Sequence, residues 1–247
     1  MQKTHFWHLF YIYGNKITLL YFLLLGFVGQ QAAVAQSGSF NYDNKFSKKN
    51  YYFGITLGLK NSRYRVESDA SMIHNSEIRF IQSRFEPGLN IGIVTNIKVK
   101  ENFDFRFLLP TLSLANRLVL YTNTRGDQVQ KTVESVFLEF PLHFRYKSKP
   151  YKDIRLFVVG GMKYSVDLIS NSNRRKAEDL LKVHANDLVG EFGLGFQFFF
   201  PYFILSPEVK FSYGLFDLHA PDTKLVYSNV IDKLYSRGIT VSLHFEG

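Results

Sequence analysis

The residue types most able to do chemistry in this chain are its seven histidines and the acids around them, and their spacing argues against it. No two histidines have the HExxH interval that sets imidazoles on one helical face to hold zinc. His5 and His8 lie at the N-terminus, and His74, His184 and His219 fall in stretches that read as long loops. No GxSxG elbow is present, and no glycine-rich loop leads into a helix. Gly193-x-Gly195 sits inside an alternating, strand-like stretch, where such a pair serves packing or a bulge rather than a phosphate. With no cysteine, disulfides, thiolate metal sites and cysteine nucleophiles are excluded. The expectation is no catalytic residue, no cofactor and no metal.

The charges that remain occur at alternate positions of apolar runs: Arg106, Glu139, His143, Arg145, Arg155, Lys163, Glu191, Glu208, Lys210 and His244. Alternation is the period of a β-strand with two unlike faces. In PGLNIGIVTNIKV the odd positions carry Leu89, Ile91, Ile93, Ile97 and Val99, and the even ones Gly88, Asn90, Gly92, Asn96 and Lys98. The same pattern places eight strands at about 51–60, 86–99, 102–115, 133–147, 153–167, 187–200, 202–215 and 237–246. Most are near the length of a tilted strand that crosses a bilayer. Long links (about 61–85, 116–132, 168–186 and 216–236) alternate with short ones (KENF, KSKPYKD and the Phe200-Pro201 corner), as in outer-membrane barrels. Part of the last long link, VYSNVIDKLYSR, is expected as a short helix over the barrel mouth.

The segment LVGEFGLGFQFFFPYFILSPEVKFSYG, from Leu188 to Gly214, has the length of a membrane helix but the period of two strands. A hairpin turning at Phe200–Tyr202 sends Glu191, Glu208 and Lys210 to one face, whereas a helix would leave them in hydrocarbon. Pro207 has no N–H for the ladder and predicts a bulge.

Bulk decides which face meets lipid. Aromatic residues are 17% of the chain, with 25 Phe and 15 Tyr. The apolar face carries Phe103, Phe105, Phe107, Phe140, Phe144, Phe192, Phe196, Phe198, Phe203, Phe211 and Tyr213, too much for an eight-stranded lumen that only just holds side chains. The other face, with Gly54, Gly58, Gly92, Gly161, Gly193, Gly195 and Gly214 among the charges, suits that lumen. The expected fold is therefore all-β, an eight-stranded antiparallel up-and-down transmembrane barrel of the outer-membrane type. Its lumen should be filled by an ion network of Arg106, Glu139, Arg145, Arg155, Lys163, Glu191, Glu208 and Lys210, in which Glu191, Glu208 and Lys210 couple across adjacent strands. The network reads as a structural plug rather than a conduction path. Tyr51, Tyr52, Tyr146, Tyr151, Tyr164, Tyr202 and Tyr213 suit either interfacial girdles or ordinary strand packing. An enzyme at the outer rim would have only Asp127, Asp167, Asp217 and His219 to draw on.

Lys3 and Lys16, the run ITLLYFLLLGFVG and the Ala33-Val34-Ala35 site read as a secretory signal over 1–35, cleaved after about Ala35. A periplasmic segment over 36–50 and the barrel over 51–247 follow. The formal charge of +9 has no nucleic-acid partner in an exported protein. Arg63, Arg65, Arg79 and Arg84 in the first long link, and Arg174, Arg175 and Lys176 in the third, could meet anionic headgroups or an acidic partner, or be solvated beside neighbouring acids. Outer-membrane lipid or lipopolysaccharide is the expected surrounding, and no small-molecule substrate is evident. The rivals are a small general porin or envelope-stabilising barrel, and a soluble lipid carrier.

The phrases PGLNIGI, FDFRFLLPTLSL, ESVFLEFPLHFRYKS, FVVGGMKYSVDL, EFGLGFQFFFPYFILSPEVKFSYGL and DKLYSRGITVSLHFE resemble the PorT (SprT) family of outer-membrane β-barrels of Bacteroidetes. The resemblance runs from about Tyr51 to Glu246 and is most specific between Phe199 and Gly214. It implies a non-enzymatic accessory or assembly factor of type IX protein secretion and gliding motility, with other components of that system as partners. It carries over no catalytic or ligand residue.

Overall fold

The computed structural model describes Tyr42, Phe46 and residues 48–68, 78–123, 126–169, 183–220 and 231–247, with 78, 123 and 131–134 described by backbone alone. The proposed signal segment and the third-link cluster Arg174, Arg175 and Lys176 lie outside them. Ten strands form one antiparallel sheet: β1 (Tyr51–Ser68), β2 (Ile78–Arg84), β3 (Glu86–Lys100), β4 (Phe103–Leu108), β5 (Thr111–Asn123), β6 (Gln128–Lys147), β7 (Ile154–Asp167), β8 (Asn186–Phe199), β9 (Ile204–Gly214) and β10 (Ile231–Glu246). β2 and β3 continue one wall through a break at Phe85. β4 and β5 continue another through Leu109-Pro110, where proline cannot supply a ladder bond. The sheet is thus an eight-walled ring, closed by β1, which pairs β10 on one edge (Gly54 opposite Glu246) and β3 on the other (Tyr51 opposite Ile97). Among the described residues no helix is long and apolar enough to cross a membrane.

All short turns stand at one end. Lys98 to Phe103 turns through a bulge between Lys98 and Lys100. In the 148–153 turn Lys152 has φ of 53°, a left-handed conformation. Phe200 N–H donates to Phe203 O at 2.9 Å, so the hairpin between β8 and β9 turns where the sequence places it. Pro207 makes no bulge. Its register runs unshifted, with Leu243 opposite it on β10, and the ladder to β8 simply omits the pairs that Pro207 and Ser206 would make.

The strands reach further from the short turns than alternation alone indicates. β1 extends to Ser68, β5 and β6 fill most of 116–132, and Ile231–Arg237 is strand paired to β1 rather than helix. Residues 226–230 of that expected helix lie outside the described residues. The cause is a change of phase. In the lower band the outward positions are apolar and exposed, as at Leu57, Leu59, Phe144, Phe192 and Val241, while Thr56, Lys60, Ser113 and Arg145 point in. Beyond Arg117 the apolar residues turn inward: Tyr64, Ile81, Val119, Tyr121, Leu218, Ile231 and Leu234 pack with Val183 as a buried core.

The outward apolar band makes a specific demand. Leu57 stands at mid-height opposite Leu243, where a lipid-facing arginine costs a barrel about 2–4 kcal/mol. Leu57→Arg should therefore lower the urea midpoint of the barrel refolded into vesicles, read by heat-modifiable gel mobility. An unchanged midpoint would show that this face is not in hydrocarbon.

Candidate functional site

The lumen gathers almost all the buried charge. Arg106, projected inward from β4, has no exposed surface and is held from three sides. Its Nε donates to Asn96 Oδ1 at 2.9 Å, Nη1 to Glu208 Oε2 at 2.6 Å and Nη2 to Glu246 Oε1 at 2.8 Å. Arg145 on β6 donates to Asp104 Oδ2 at 2.6 Å and to Tyr52 Oη, and reaches Glu246 Oε1 at 3.4 Å. Lys147 closes on Asp104 Oδ1 at 2.7 Å. One turn higher, Glu191 accepts from Lys163 Nζ and Ser212 Oγ, both at 2.8 Å, and faces His143 Nε2 at 2.9 Å. Glu139 lies between Lys60 at 2.7 Å and Lys163 at 3.2 Å. Lys210 links the two levels, 3.4 Å from Glu208 and 3.8 Å from Glu191.

Of the charges named from the sequence, Arg106, Glu139, Arg145, Lys163, Glu191, Glu208 and Lys210 thus stand in one connected network, with His143 and His244 inside it. Arg155 lies at the short-turn end, its guanidinium 5.8 Å over the Phe199 ring. Sequence reasoning missed Lys60, Asp104, Lys147 and Glu246, although each has the same parity as a named neighbour on its strand. Extending the alternation by one step in β1, β4, β6 and β10 would have found them. Tyr52 is also buried in the lumen and belongs to no girdle, while Tyr51, Tyr146, Tyr151, Tyr164, Tyr202 and Tyr213 are exposed.

Two inward phenyl rings were not anticipated. Phe157, fully buried, lies 5.7 Å from the Arg106 guanidinium carbon and 5.1 Å from that of Arg145. Phe137 takes Arg117 at 4.8 Å and Lys60 at 5.5 Å. A cation over a ring face is attracted by the ring quadrupole, more so when desolvated, so both rings serve the ion network. The glycines opposite make this possible: a side chain at Gly195 would strike the Phe157 ring, and one at Gly161 the His143 ring.

The interior therefore has three levels. Phe46, Tyr52, Phe199 and Ile204 pack at the short-turn end, around a gap of about 20 Å³ that holds about one water. The segment carrying Phe46 is fastened there by Tyr42 N–H on Asp153 Oδ1 at 2.9 Å and by Lys98 N–H on the Asn50 carbonyl at 2.7 Å. The ion network fills the middle, and the apolar core of Tyr64, Val119, Tyr121 and Leu234 fills the far end. Charges this deeply buried survive only when each is paired and hydrogen-bonded. The arrangement holds walls together and offers no solvent-facing nucleophile.

Asp217 Oδ1 accepts the His219 and Leu234 backbone N–H groups, both at 2.9 Å, and Asp167 Oδ1 that of Ile169 at 3.0 Å. Asp127 is exposed in the link from β5 to β6. Among the described residues no group of three or more His, Asp or Glu is placed to hold a metal.

No curated protein matches the chain. Among solved structures it is similar to Neisserial surface protein A (8% identity over 80% of this chain and 97% of that one, TM-score 0.43) and to OprG from Pseudomonas aeruginosa (8%, 80% and 95%, TM-score 0.47). It is also similar to Ail, the attachment invasion locus protein of Yersinia pestis (10%, 81% and 100%, TM-score 0.35). Residues 34–220 match the outer membrane protein beta-barrel domain family, and with its closed ring of antiparallel strands and outward apolar band the chain belongs to that family of outer-membrane barrels.

Proposed function

We propose that the protein is a non-enzymatic accessory or assembly factor of type IX protein secretion and gliding motility, acting through its surfaces rather than its lumen. The observation that supports this is the filled interior, from Phe46 through the ion network to Leu234. Eight walls leave room for side chains and at most one small ligand, so this barrel is no passage for a folded cargo. The sequence phrases between Phe199 and Gly214 supply the link to that secretion system. Its protein partners would meet the short turns, the segment before Tyr51 or the long links.

Deleting the gene should abolish surface display of proteins that carry a type IX C-terminal signal, scored by labelling intact cells, and a plasmid copy should restore it. Normal display in the deletion strain would sink the proposal. A small-porin role predicts unitary conductance in planar bilayers, which the filled lumen argues against. An envelope-stabilising role uses the same rigid lumen and predicts detergent sensitivity of the deletion strain with display intact.

A further inference from the structure

On one side of the barrel the wall splits. β1 pairs β3 as far as Ser62 opposite Glu86, and beyond that point β2 pairs β5 instead. Across the split, Tyr64 N–H donates to Ser83 Oγ at 2.9 Å. The split opens a cleft of about 470 Å³ lined by Arg63, Arg65, Arg84, Arg237 and Phe85. Arg63 and Arg237 are partners across the β1–β10 ladder, so two like charges spring from neighbouring positions of the outward face. Each guanidinium lies over a ring, Phe85 at 4.5 Å and Tyr213 at 5.3 Å. Neither has a carboxylate partner among the described residues, and Arg63 Nε is buried with no acceptor. Glu67 neutralises only Arg65, at 2.9 Å.

Directly below, on the same outward face of β1 and β10, lies an apolar groove of about 580 Å³ lined by Leu57, Leu59, Leu89, Leu114, Val241 and Leu243. From Leu59 to Arg63 the strand climbs about 13 Å, which carries the surface from the apolar band to headgroup level. The long links stand at this end, the external side in barrels of this kind.

We propose that the seam binds one phosphorylated lipid of the outer leaflet, its phosphate on Arg63 and Arg237 and an acyl chain in the groove below. Guanidinium forks match phosphate oxygens in charge and geometry. The groove confines a chain that a smooth wall would leave exchanging with bulk lipid. The site is independent of the role in secretion.

The test uses the full barrel in non-ionic detergent, titrated with phosphorylated lipid A, with the same lipid dephosphorylated, and with inorganic phosphate. The thermal midpoint is read from heat-modifiable mobility. Phosphorylated lipid A should raise the midpoint saturably. Arg63→Ala/Arg237→Ala should weaken that binding at least about tenfold, as loss of paired charge-assisted bonds implies. Leu89→Trp, which fills the groove and leaves the arginines in place, should weaken it comparably, and it keeps the test decisive if the double variant fails to fold. Equal stabilisation by dephosphorylated lipid or by inorganic phosphate would overturn the proposal, as would undiminished binding by the variants.

Discussion

Arg106→Ala should destabilise the barrel by about 3–5 kcal/mol, the cost of stranding a buried countercharge. The arginine leaves Glu208, with no exposed surface, without its 2.6 Å partner, and takes the 2.8 Å bond from Glu246. Glu208 keeps Lys210 at 3.4 Å and Glu246 keeps Arg145 at 3.4 Å, longer contacts that cannot replace a fork. Arg106→Lys should recover little, because one ammonium cannot reach Asn96, Glu208 and Glu246 together. Removing one stranded charge as well, in Arg106→Ala/Glu208→Gln, should be milder than Arg106→Ala alone. Urea unfolding from vesicles supplies the comparison. If the double variant is the weaker of the two, the network is not governed by charge balance.

The second large effect is expected at Phe157. Phe157→Ala removes a buried ring, commonly about 3–5 kcal/mol, together with the face that serves Arg106 and Arg145. Gly195→Val acts on the same spot from the neighbouring wall, because its side chain would strike that ring and the Pro207 carbonyl. Overpacking of this kind costs about 1–3 kcal/mol. In Phe157→Ala/Gly195→Val the ring clash is gone while the clash with the Pro207 carbonyl remains, so the pair should cost less than the two single changes added. Strict additivity in the unfolding midpoints would show that Gly195 does not make room for the ring.

The fold was legible because hydrocarbon imposes one rule on every wall: bulky residues out, small and charged residues in. Where that rule holds, as over Gly88–Val99 and Leu188–Gly214, the sequence reading and the strands coincide. Where the walls leave the apolar band the rule inverts. Arg63, Arg65 and Arg237 face outward, while Tyr64, Val119 and Leu234 turn in. Alternation continues with exchanged faces, and a reader following lipid-facing residues sees strands end at Lys60 and Ala115. The network was legible in part for a related reason. Glu191, Glu208 and Lys210 interrupt a greasy run and stand out, whereas Asp104 and Glu246 sit near strand ends, where a charge looks like part of a turn. Phe157 could not be found by polarity at all, since its parity places it inside and its chemistry suggests the outside. Only the Gly195 gap facing it across the β7–β8 ladder distinguishes it.

The position of Glu246 bears on the order in which the molecule can be assembled. Arg106 and Arg145 come from the middle of the sequence, yet the carboxylate they share is near the end of β10, and that strand also closes the ring on β1. Before β10 is synthesised and docked, β1 and β9 each present a bare edge, and two guanidiniums lack their common acceptor. Non-local pairings of this span form slowly because the intervening chain must first be ordered, and bare edges meanwhile invite foreign strands. Closure and charge neutralisation therefore arrive in a single step. A partly threaded barrel would remain wet and unlocked, a form that an insertion machinery or a protease can recognise, and the finished one would not readily reopen.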